Sequence, residues 1–183
     1  MPTGYQIKKQ DAAYFVTWTV IGWADVFIKG TYRNILIDAL NYSTENKGLQ
    51  IFAYVIMSNH VHLIVRAQNH DLSSIIGSIK RFTCNQIIQA IKTGPESRRE
   101  WLLPLFRGAG EKNKRNEKYQ FWIQGNHAEE VYSLKFTLCK MNYIHNNPVK
   151  AGLVLQPHDF LYSSARDYAG IPSPVKIVAL GVD

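Results

Sequence analysis

The pattern of hydrophobic and polar positions changes several times along the chain, and each change marks a candidate element. Residues 14–23 are rich in β-branched and aromatic side chains, which favour a strand. Two later apolar runs predict a second strand over residues 50–57 and a third over His60–Ala67. Because only a short link separates these two runs, we expect an antiparallel hairpin. A fourth strand is predicted over residues 119–124.

Apolar residues spaced three and four apart predict three helices, over residues 31–47, 72–92 and 129–147. Pro148 is expected to end the third helix, because proline forces the preceding residue out of the α region. The tail is expected to be irregular, with a possible short strand at residues 176–180. Strands and helices in this order predict an α+β fold, a ferredoxin-like antiparallel sheet with its helices packed on one face.

Composition and charge narrow the class of protein. With 183 residues, 46% hydrophobic and 19% charged, the chain fits one domain, residues 1–183 with a core of about 12–170, and is neither disordered nor collagen-like. The net charge of +7 favours a polyanionic partner. The longest apolar run, residues 51–57, is too short to span a membrane. We therefore expect a cytoplasmic protein with no membrane partner, whose two cysteines are reduced thiols.

The first candidate motif is the pair of histidines in His60-Val61-His62. In a strand, residues i and i+2 project to the same face, so two imidazoles lie side by side. Neutral imidazoles are common ligands of divalent metals, although two unrelated histidines at a sheet surface would give the same pattern. Neither His70 nor His127 is placed to complete a three-histidine site, so the missing ligand must come from elsewhere.

The second candidate motif surrounds Tyr143, which is followed by Asn147 and Pro148. Periodicity alone permits Tyr143 to be an ordinary aromatic residue of its helix, whereas the functional interpretation makes it a nucleophile. Asn147, one turn further on, could offer an amide oxygen to the metal held by His60 and His62. Two imidazoles and one amide oxygen form a neutral, partly open site, which suits Mg²⁺ or Mn²⁺ already engaged by a phosphate.

Basic residues outside these motifs are candidate phosphate contacts. Residues 107–118 carry five basic and two acidic side chains, which is typical of a solvated loop but also fits an arm that contacts phosphates. Lys80 and Arg81 of the predicted helix over residues 72–92, and Lys150 after the tyrosine motif, are further candidates. The candidates are Lys80, Arg81, Arg107, Lys112, Lys114, Arg115 and Lys150.

Two segments, YVIMSNHVHLIV and NYIHNNPVKAGLV, resemble the two signature blocks of single-tyrosine HUH transposases, in particular the branch of REP-associated tyrosine transposases. SIKRFTCNQI between them and LYSSARDY after them also resemble this family, so the likeness covers most of residues 12–170. The resemblance implies a ferredoxin-like fold. It assigns metal binding to His60, His62 and Asn147, and the nucleophile to Tyr143.

This resemblance implies cleavage and rejoining of single-stranded or hairpin-forming DNA, through a 5′-phosphotyrosine intermediate and with Mg²⁺ or Mn²⁺. The basic residues become candidate DNA contacts, Lys140 and Lys150 become candidates for deprotonating Tyr143, and a homodimer is possible. Two alternatives stay open at this point. One is a nucleic-acid-binding protein of the same fold without catalysis, and the other is a metal-dependent hydrolase of small phosphodiesters.

Overall fold

An antiparallel sheet forms the centre of the structure. The computed structural model describes residues 6–113 and 118–180. Within them the strands are β1 (Tyr14–Thr19), β2 (Leu49–Ile56), β3 (His60–Ala67) and β4 (Glu129–Glu130), arranged in the order β2-β3-β1-β4. Every pairing is antiparallel. This arrangement confirms the predicted α+β class and the β2–β3 hairpin.

Five helices accompany the sheet in the described part of the chain. They are α1 (Gly30–Asn46), α2 (Leu72–Thr93), α3 (Arg99–Glu111), α4 (Leu134–Lys150) and the short α5 (Ala165–Tyr168). Single 3-10 turns occur at Ile21–Trp23, Val26–Ile28 and Pro157–Asp159. Helices α1 and α2 agree with their predictions to within one residue at each end. Across residues 6–113 and 118–180, no helix combines the length and apolar composition needed to cross a membrane.

The two faces of the sheet differ sharply. On one face, Val61, Leu63 and Val65 of β3 join a large apolar cluster formed with α1, α2 and α3, and we call this the core face. The opposite face carries His60 and His62, and we call it the histidine face. The expectation that all helices share one face is wrong, because α4 packs on the histidine face.

Apolar contacts explain the position of α4. Its Ile144 is fully buried against Phe15 and Ile64, within a smaller cluster on the histidine face. The β2 strand contributes two consecutive residues, Phe52 and Ala53, to this same cluster. A register shift between Ile51 and Ala53 permits this, since a bulge lets neighbouring residues face the same way.

The fourth strand predicted over residues 119–124 is wrong. This segment runs beside β1 without a regular ladder, although the amide of Ile21 donates to the carbonyl of Phe121 and that of Ile123 to Thr19, each at 2.8 Å. Phe121 and Trp122 both pack into the apolar cluster on the core face, so consecutive side chains do not alternate between the two faces as they do in a regular strand. The edge strand β4 begins instead at Glu129, where the sequence predicted a helix.

Helix α4 begins later and ends later than predicted. Ser133 caps its first turn by accepting a hydrogen bond from the amide of Phe136 at 3.3 Å. The helix continues through Pro148 because the missing N–H removes only one hydrogen bond near its end. It then closes at Gly152, whose φ of 72° allows the amide of Leu153 to reach the carbonyl of Pro148 at 2.9 Å.

The basic segment and the tail also depart from the prediction. Residues 107–111 lie inside α3 rather than in a loop, and buried Leu102 and Phe106 anchor that helix to the core face. Lys114 and Arg115 lie outside the described residues. Residues 176–180 form no strand, although the amide of Val178 donates to the carbonyl of Ile51 at 2.8 Å.

Candidate active site

The two histidines of β3 lie side by side on the histidine face. Their ring centroids are 4.8 Å apart, and the rings meet edge to face. In the register with β1, His60 lies opposite Thr19 and His62 lies opposite Thr17. His62 is only 5% exposed, whereas His60 is half-buried. The strand geometry therefore produces the adjacent imidazoles that the sequence predicted.

Each histidine has one ring nitrogen already engaged. Asn59 Oδ1 lies 2.8 Å from His60 Nδ1, while Asn59 Nδ2 donates to Asp25 Oδ1 at 3.0 Å. Because the amide nitrogen of Asn59 faces an acceptor, its oxygen must accept from His60, which places the proton on Nδ1. The hydroxyl of Thr17 lies 2.8 Å from His62 Nδ1. Asn59 therefore leaves Nε2 of His60 as the available lone pair, and Nε2 of His62 is equally available when Nδ1 donates to the Thr17 hydroxyl.

Burial keeps both histidines in the form that binds metal. Desolvation lowers the pKa of His60. Desolvation also lowers the pKa of His62 to about 3, with further contributions from the neighbouring His60 and the Lys140 cation. Both rings are therefore neutral at physiological pH, and a neutral imidazole is the ligand form. Neutral rings with fixed Nδ1 partners fit a divalent metal, and no cluster of three His, Cys, Asp or Glu residues occurs within 6–113 and 118–180.

Tyr143 of α4 lies directly beside this pair. Its ring centroid is 5.2 Å from that of His62 and 5.9 Å from that of Phe15, in edge-to-face contacts. The side chain is nevertheless 42% exposed, so the residue is accessible to a large substrate. The fold thus brings together the two sequence motifs, which are about eighty residues apart in the chain.

Two lysines accompany Tyr143 and differ in how they are engaged. Lys140 Nζ forms an ion pair with Glu129 at 2.8 Å and lies 4.5 Å from the Phe15 ring centroid. Lys150 is exposed, and its Nζ lies 5.7 Å from the centroid of the Tyr143 ring. Of the two cations near the phenol, Lys140 is therefore engaged in an ion pair, whereas Lys150 is exposed.

Asn147 lies on α4 one turn beyond Tyr143, close to the C-terminal end of that helix. It is half-buried, and within the described residues its side chain forms no hydrogen bond that would occupy the amide oxygen. The structure places Asn147 on the helix that covers the histidine face, without bringing its side chain within hydrogen-bond distance of His60 or His62. Partial negative charge at a helix C-terminus favours a cation nearby.

Sequence reasoning missed the partners of the two histidines. Thr17 belongs to β1, and its position opposite His62 depends on a strand register that the sequence pattern does not state. Asn59 precedes His60 directly, and a polar residue just before the motif was the one signal that could have found it. Asp25, which fixes the orientation of Asn59, lies between two 3-10 turns that were not predicted.

The candidate phosphate contacts that the structure describes lie in different parts of the molecule and differ in exposure. Lys80 is enclosed, with Nζ donating to the carbonyls of Ile123 and Gly125 and to Asn126 Oδ1 at 2.8–3.3 Å. Burial lowers its pKa to about 8. The structure therefore uses this amine to hold residues 123–126 beside α2.

The remaining candidates within the described residues are exposed. Arg107 pairs with Glu111 one turn away at 3.0 Å, and Lys112 follows the end of α3. Arg81 lines a groove of about 900 Å³ between α2 and residues 118–125. Lys92 and Lys118 also line this groove, and Lys92 Nζ lies 4.5 Å from the Tyr119 ring centroid.

Comparison with known proteins adds two kinds of match. The family model described as "Transposase IS200 like" matches residues 8–102, just over half of the chain, a range that includes β3 and ends before α4. The solved structure of a REP-associated tyrosine transposase bound to a REP hairpin is 19% identical and covers 98% of this chain and 93% of its own, with a TM-score of 0.64. At that identity it supports the fold.

A candidate transposase from Deinococcus radiodurans is also 19% identical, covering 77% of this chain and 92% of its own, with a TM-score of 0.43. A search of curated proteins gives no match.

Proposed function

The chain belongs to the IS200-like transposase family, and from this premise we propose that it cleaves and rejoins single-stranded or hairpin-forming DNA with Tyr143 as nucleophile. The observation that carries the proposal is the contact between Tyr143 and His62, whose ring centroids are 5.2 Å apart. An exposed phenol beside two neutral imidazoles combines a nucleophile with a metal-binding pair. The family match does not extend to Tyr143, so its role rests on this geometry and on the motif around it.

A divalent ion, Mg²⁺ or Mn²⁺, is the proposed cofactor. His60 and His62 would hold it through Nε2, and Asn147 would add its amide oxygen. When bound, such an ion polarises a phosphate oxygen and offsets the negative charge that develops in the transition state. Thr17 and Asn59 would keep the two rings in the tautomer that presents Nε2.

In the proposed reaction the phenolate oxygen of Tyr143 attacks the scissile phosphorus. A bond forms between that oxygen and phosphorus, and the bond from phosphorus to the 3′ oxygen breaks. The products are a 5′-phosphotyrosine and a free 3′-hydroxyl. The covalent link retains the phosphodiester energy, so attack by a 3′-hydroxyl rejoins a strand without ATP.

The phenol must lose its proton before this attack, since a free tyrosine has a pKa near 10. Lys150, whose Nζ lies 5.7 Å from the ring centroid, is the candidate that stabilises the phenolate. Lys140 is already paired with Glu129 and is better placed to hold α4 against β4. The contact between Tyr143 and His62 lies within one chain, which supports a site completed by a single subunit rather than by a homodimer.

Covalent trapping tests this proposal. The purified protein is incubated with a labelled pool of single-stranded hairpin DNA and Mn²⁺, then resolved on a denaturing gel. We expect a DNA–protein adduct that requires the metal and is absent from Tyr143→Phe. Tyr132→Phe is the matched control, because Tyr132 is a 78% exposed tyrosine just before α4 and should leave the adduct unchanged.

The groove lined by Arg81, Lys92 and Lys118 favours a second candidate, a nucleic-acid-binding protein without catalysis. Salt-sensitive DNA binding without any adduct across a diverse pool would support that alternative. An adduct that persists in Tyr143→Phe would show that a different residue is the nucleophile. Turnover of small phosphodiesters without an adduct would indicate a hydrolase.

A further inference from the structure

An exposed indole lies beside the metal-binding pair. The side chain of Trp23 is 61% exposed, and its ring centroid is 6.1 Å from that of His60. Successive ring contacts therefore run from Trp23 through His60 and His62 to Tyr143. Trp23 and Tyr143 occupy the two ends of this row.

The backbone of Trp23 adopts a conformation that bulky side chains rarely occupy. Its φ is 53°, directly after Gly22 at 64°. Left-handed backbone at a non-glycine residue is strained, and such strain is concentrated at functional sites. A tryptophan that is both strained and exposed contributes little to stability. A functional contact would account for its position better than packing does.

Surrounding contacts hold Trp23 in this conformation. Its amide donates to the carbonyl of Val20 at 3.0 Å, and its carbonyl accepts from Asn59 Nδ2 at 3.3 Å. The same Asn59 side chain accepts the hydrogen bond from His60. Behind this turn, Leu105 of α3 leaves so little room that a β-carbon at Gly22 would lie 3.1 Å from its methyl carbons. One side chain, Asn59, thus links the backbone that carries the indole to the ring of His60.

We propose that Trp23 is a stacking platform for an unpaired base of the nucleic-acid strand whose phosphate lies at His60 and His62. This inference rests on the proposed function. A flat ring that is 61% exposed and in contact with His60 matches a base, and bases stack on aromatic side chains with little sequence preference. The net charge of +7 favours the same polyanionic strand.

Intrinsic fluorescence tests the platform, because the chain offers a matched control. Trp18 and Trp122 are buried, whereas Trp101 on α3 is 49% exposed and lies outside the row of rings. Single-stranded oligothymidylate should quench Trp101→Phe as strongly as the wild type, and should quench Trp23→Phe far less. An abasic oligomer of equal length should cause little quenching in any of the three proteins.

Affinity supplies the second readout. Trp23→Ala should weaken binding of oligothymidylate about tenfold and leave binding of the abasic oligomer unchanged, whereas Trp101→Ala should affect neither. Undiminished quenching in Trp23→Phe, an equal loss with the abasic oligomer, or no binding of oligothymidylate by the wild type would each overturn the platform. A change of oligomeric state in Trp23→Ala, measured by sedimentation, would instead assign the indole to an interface between copies of the chain.

The covalent adduct separates this inference from the function on which it rests. If the wild type forms the adduct but Trp23 gives no quenching, stacking is wrong and the transposase chemistry stands. If the Trp23-dependent quenching occurs without an adduct, the platform belongs to a binding protein and the proposed cleavage is wrong.

Discussion

The core face and the histidine face belong to the same strands but differ in the elements that pack against them. On the core face, Val61 and Leu63 are completely buried among residues of three helices. On the histidine face, α4 covers a smaller cluster centred on Phe15, Ile64 and Ile144. A strand alternates its side chains between these two environments, so neighbouring residues contribute to different properties.

Under the proposed function, residues that stabilise the fold and residues that would carry the chemistry therefore alternate along one strand. The core face buries the greater share of apolar area and therefore supplies most of the stabilisation. On the histidine face, β3 carries His60 and His62 at positions where apolar side chains would add to the buried area. A shift of β3 by one residue would exchange the two environments, so the same alternation fixes both the register and the site.

The sharpest test of the comparison uses the adjacent residues His62 and Leu63. Leu63→Ala should lower the free energy of unfolding by about 2–5 kcal/mol, because it opens a cavity in the core, and leave adduct formation by the folded protein intact. His62→Ala should reduce adduct formation at least a hundredfold, a loss of about 3 kcal/mol or more in transition-state stabilisation, with a smaller change in stability. Thermal unfolding and the denaturing gel measure the two effects.

An equal loss of stability in Leu63→Ala and His62→Ala would show that the two faces contribute alike to stability, which contradicts the comparison. If His62→Ala, together with His60→Ala, left the affinity for Mn²⁺ unchanged in calorimetry, the assignment of the metal site would fail instead.

The elements that the sequence predicts well are those fixed by local pattern. Helices α1 and α2 and the β2–β3 hairpin follow from periodicity, and His60 and His62 follow from alternation within one strand. The register of β1 against β3, and therefore the contact between Thr17 and His62, depends on residues far apart in the chain.

The elements that the sequence predicts poorly are those decided by tertiary packing. The segment with buried Phe121 and Trp122 resembles a strand in composition, but both residues pack into the core and abolish the alternation. Pro148 was expected to end α4, yet the helix continues because Ile144 and Pro148 are both buried and the loss of one hydrogen bond near the end is tolerated. Local preferences give way to burial in both places.

The core face also contains a buried carboxylate that should control stability in acid. Glu96 accepts hydrogen bonds from Tyr32 at 2.9 Å and from the Arg98 guanidinium at 3.0 and 3.1 Å. Burial alone would raise the pKa of Glu96, but these hydrogen bonds outweigh it and lower the pKa to about 2. A lowered folded-state pKa stabilises the protein above the unfolded value of 4.5 and less as pH falls towards 2.

We therefore expect the free energy of unfolding to fall by about 3 kcal/mol from this group between pH 5 and pH 2. Chemical denaturation at several pH values measures this change, and Glu96→Gln should remove it. The control is Glu45→Gln, which alters an exposed pair with Lys176 and should keep the wild-type profile. An unchanged profile in Glu96→Gln would mean that other carboxylates cause the acid sensitivity.

On the histidine face, the hydrogen bond between Thr17 and His62 tests whether orientation of the ring matters. Thr17→Val keeps the shape of the side chain but removes the hydroxyl that lies 2.8 Å from Nδ1. Loss of such a partner typically weakens metal binding 10- to 100-fold, and we expect an effect of that size on the affinity for Mn²⁺. Thr19→Val is the control on the same face, opposite His60. Identical losses in the two variants would indicate a general disturbance of the face.

The smallest expected effect concerns how far bound DNA extends around the sheet. Lys150 lies beside Tyr143, whereas Arg81 lines the groove of α2, the helix that covers the core face. Each phosphate contact on a single strand contributes about 0.7 to the slope of log affinity against log salt. Lys150→Ala and Arg81→Ala should therefore each lower that slope by about 0.7 if the residue contacts a phosphate. Arg107→Ala should lower it less, because Arg107 already pairs with Glu111. A loss confined to Lys150→Ala would restrict DNA to the histidine face, and a loss in both variants would show that the strand also reaches the outer surface of the core face.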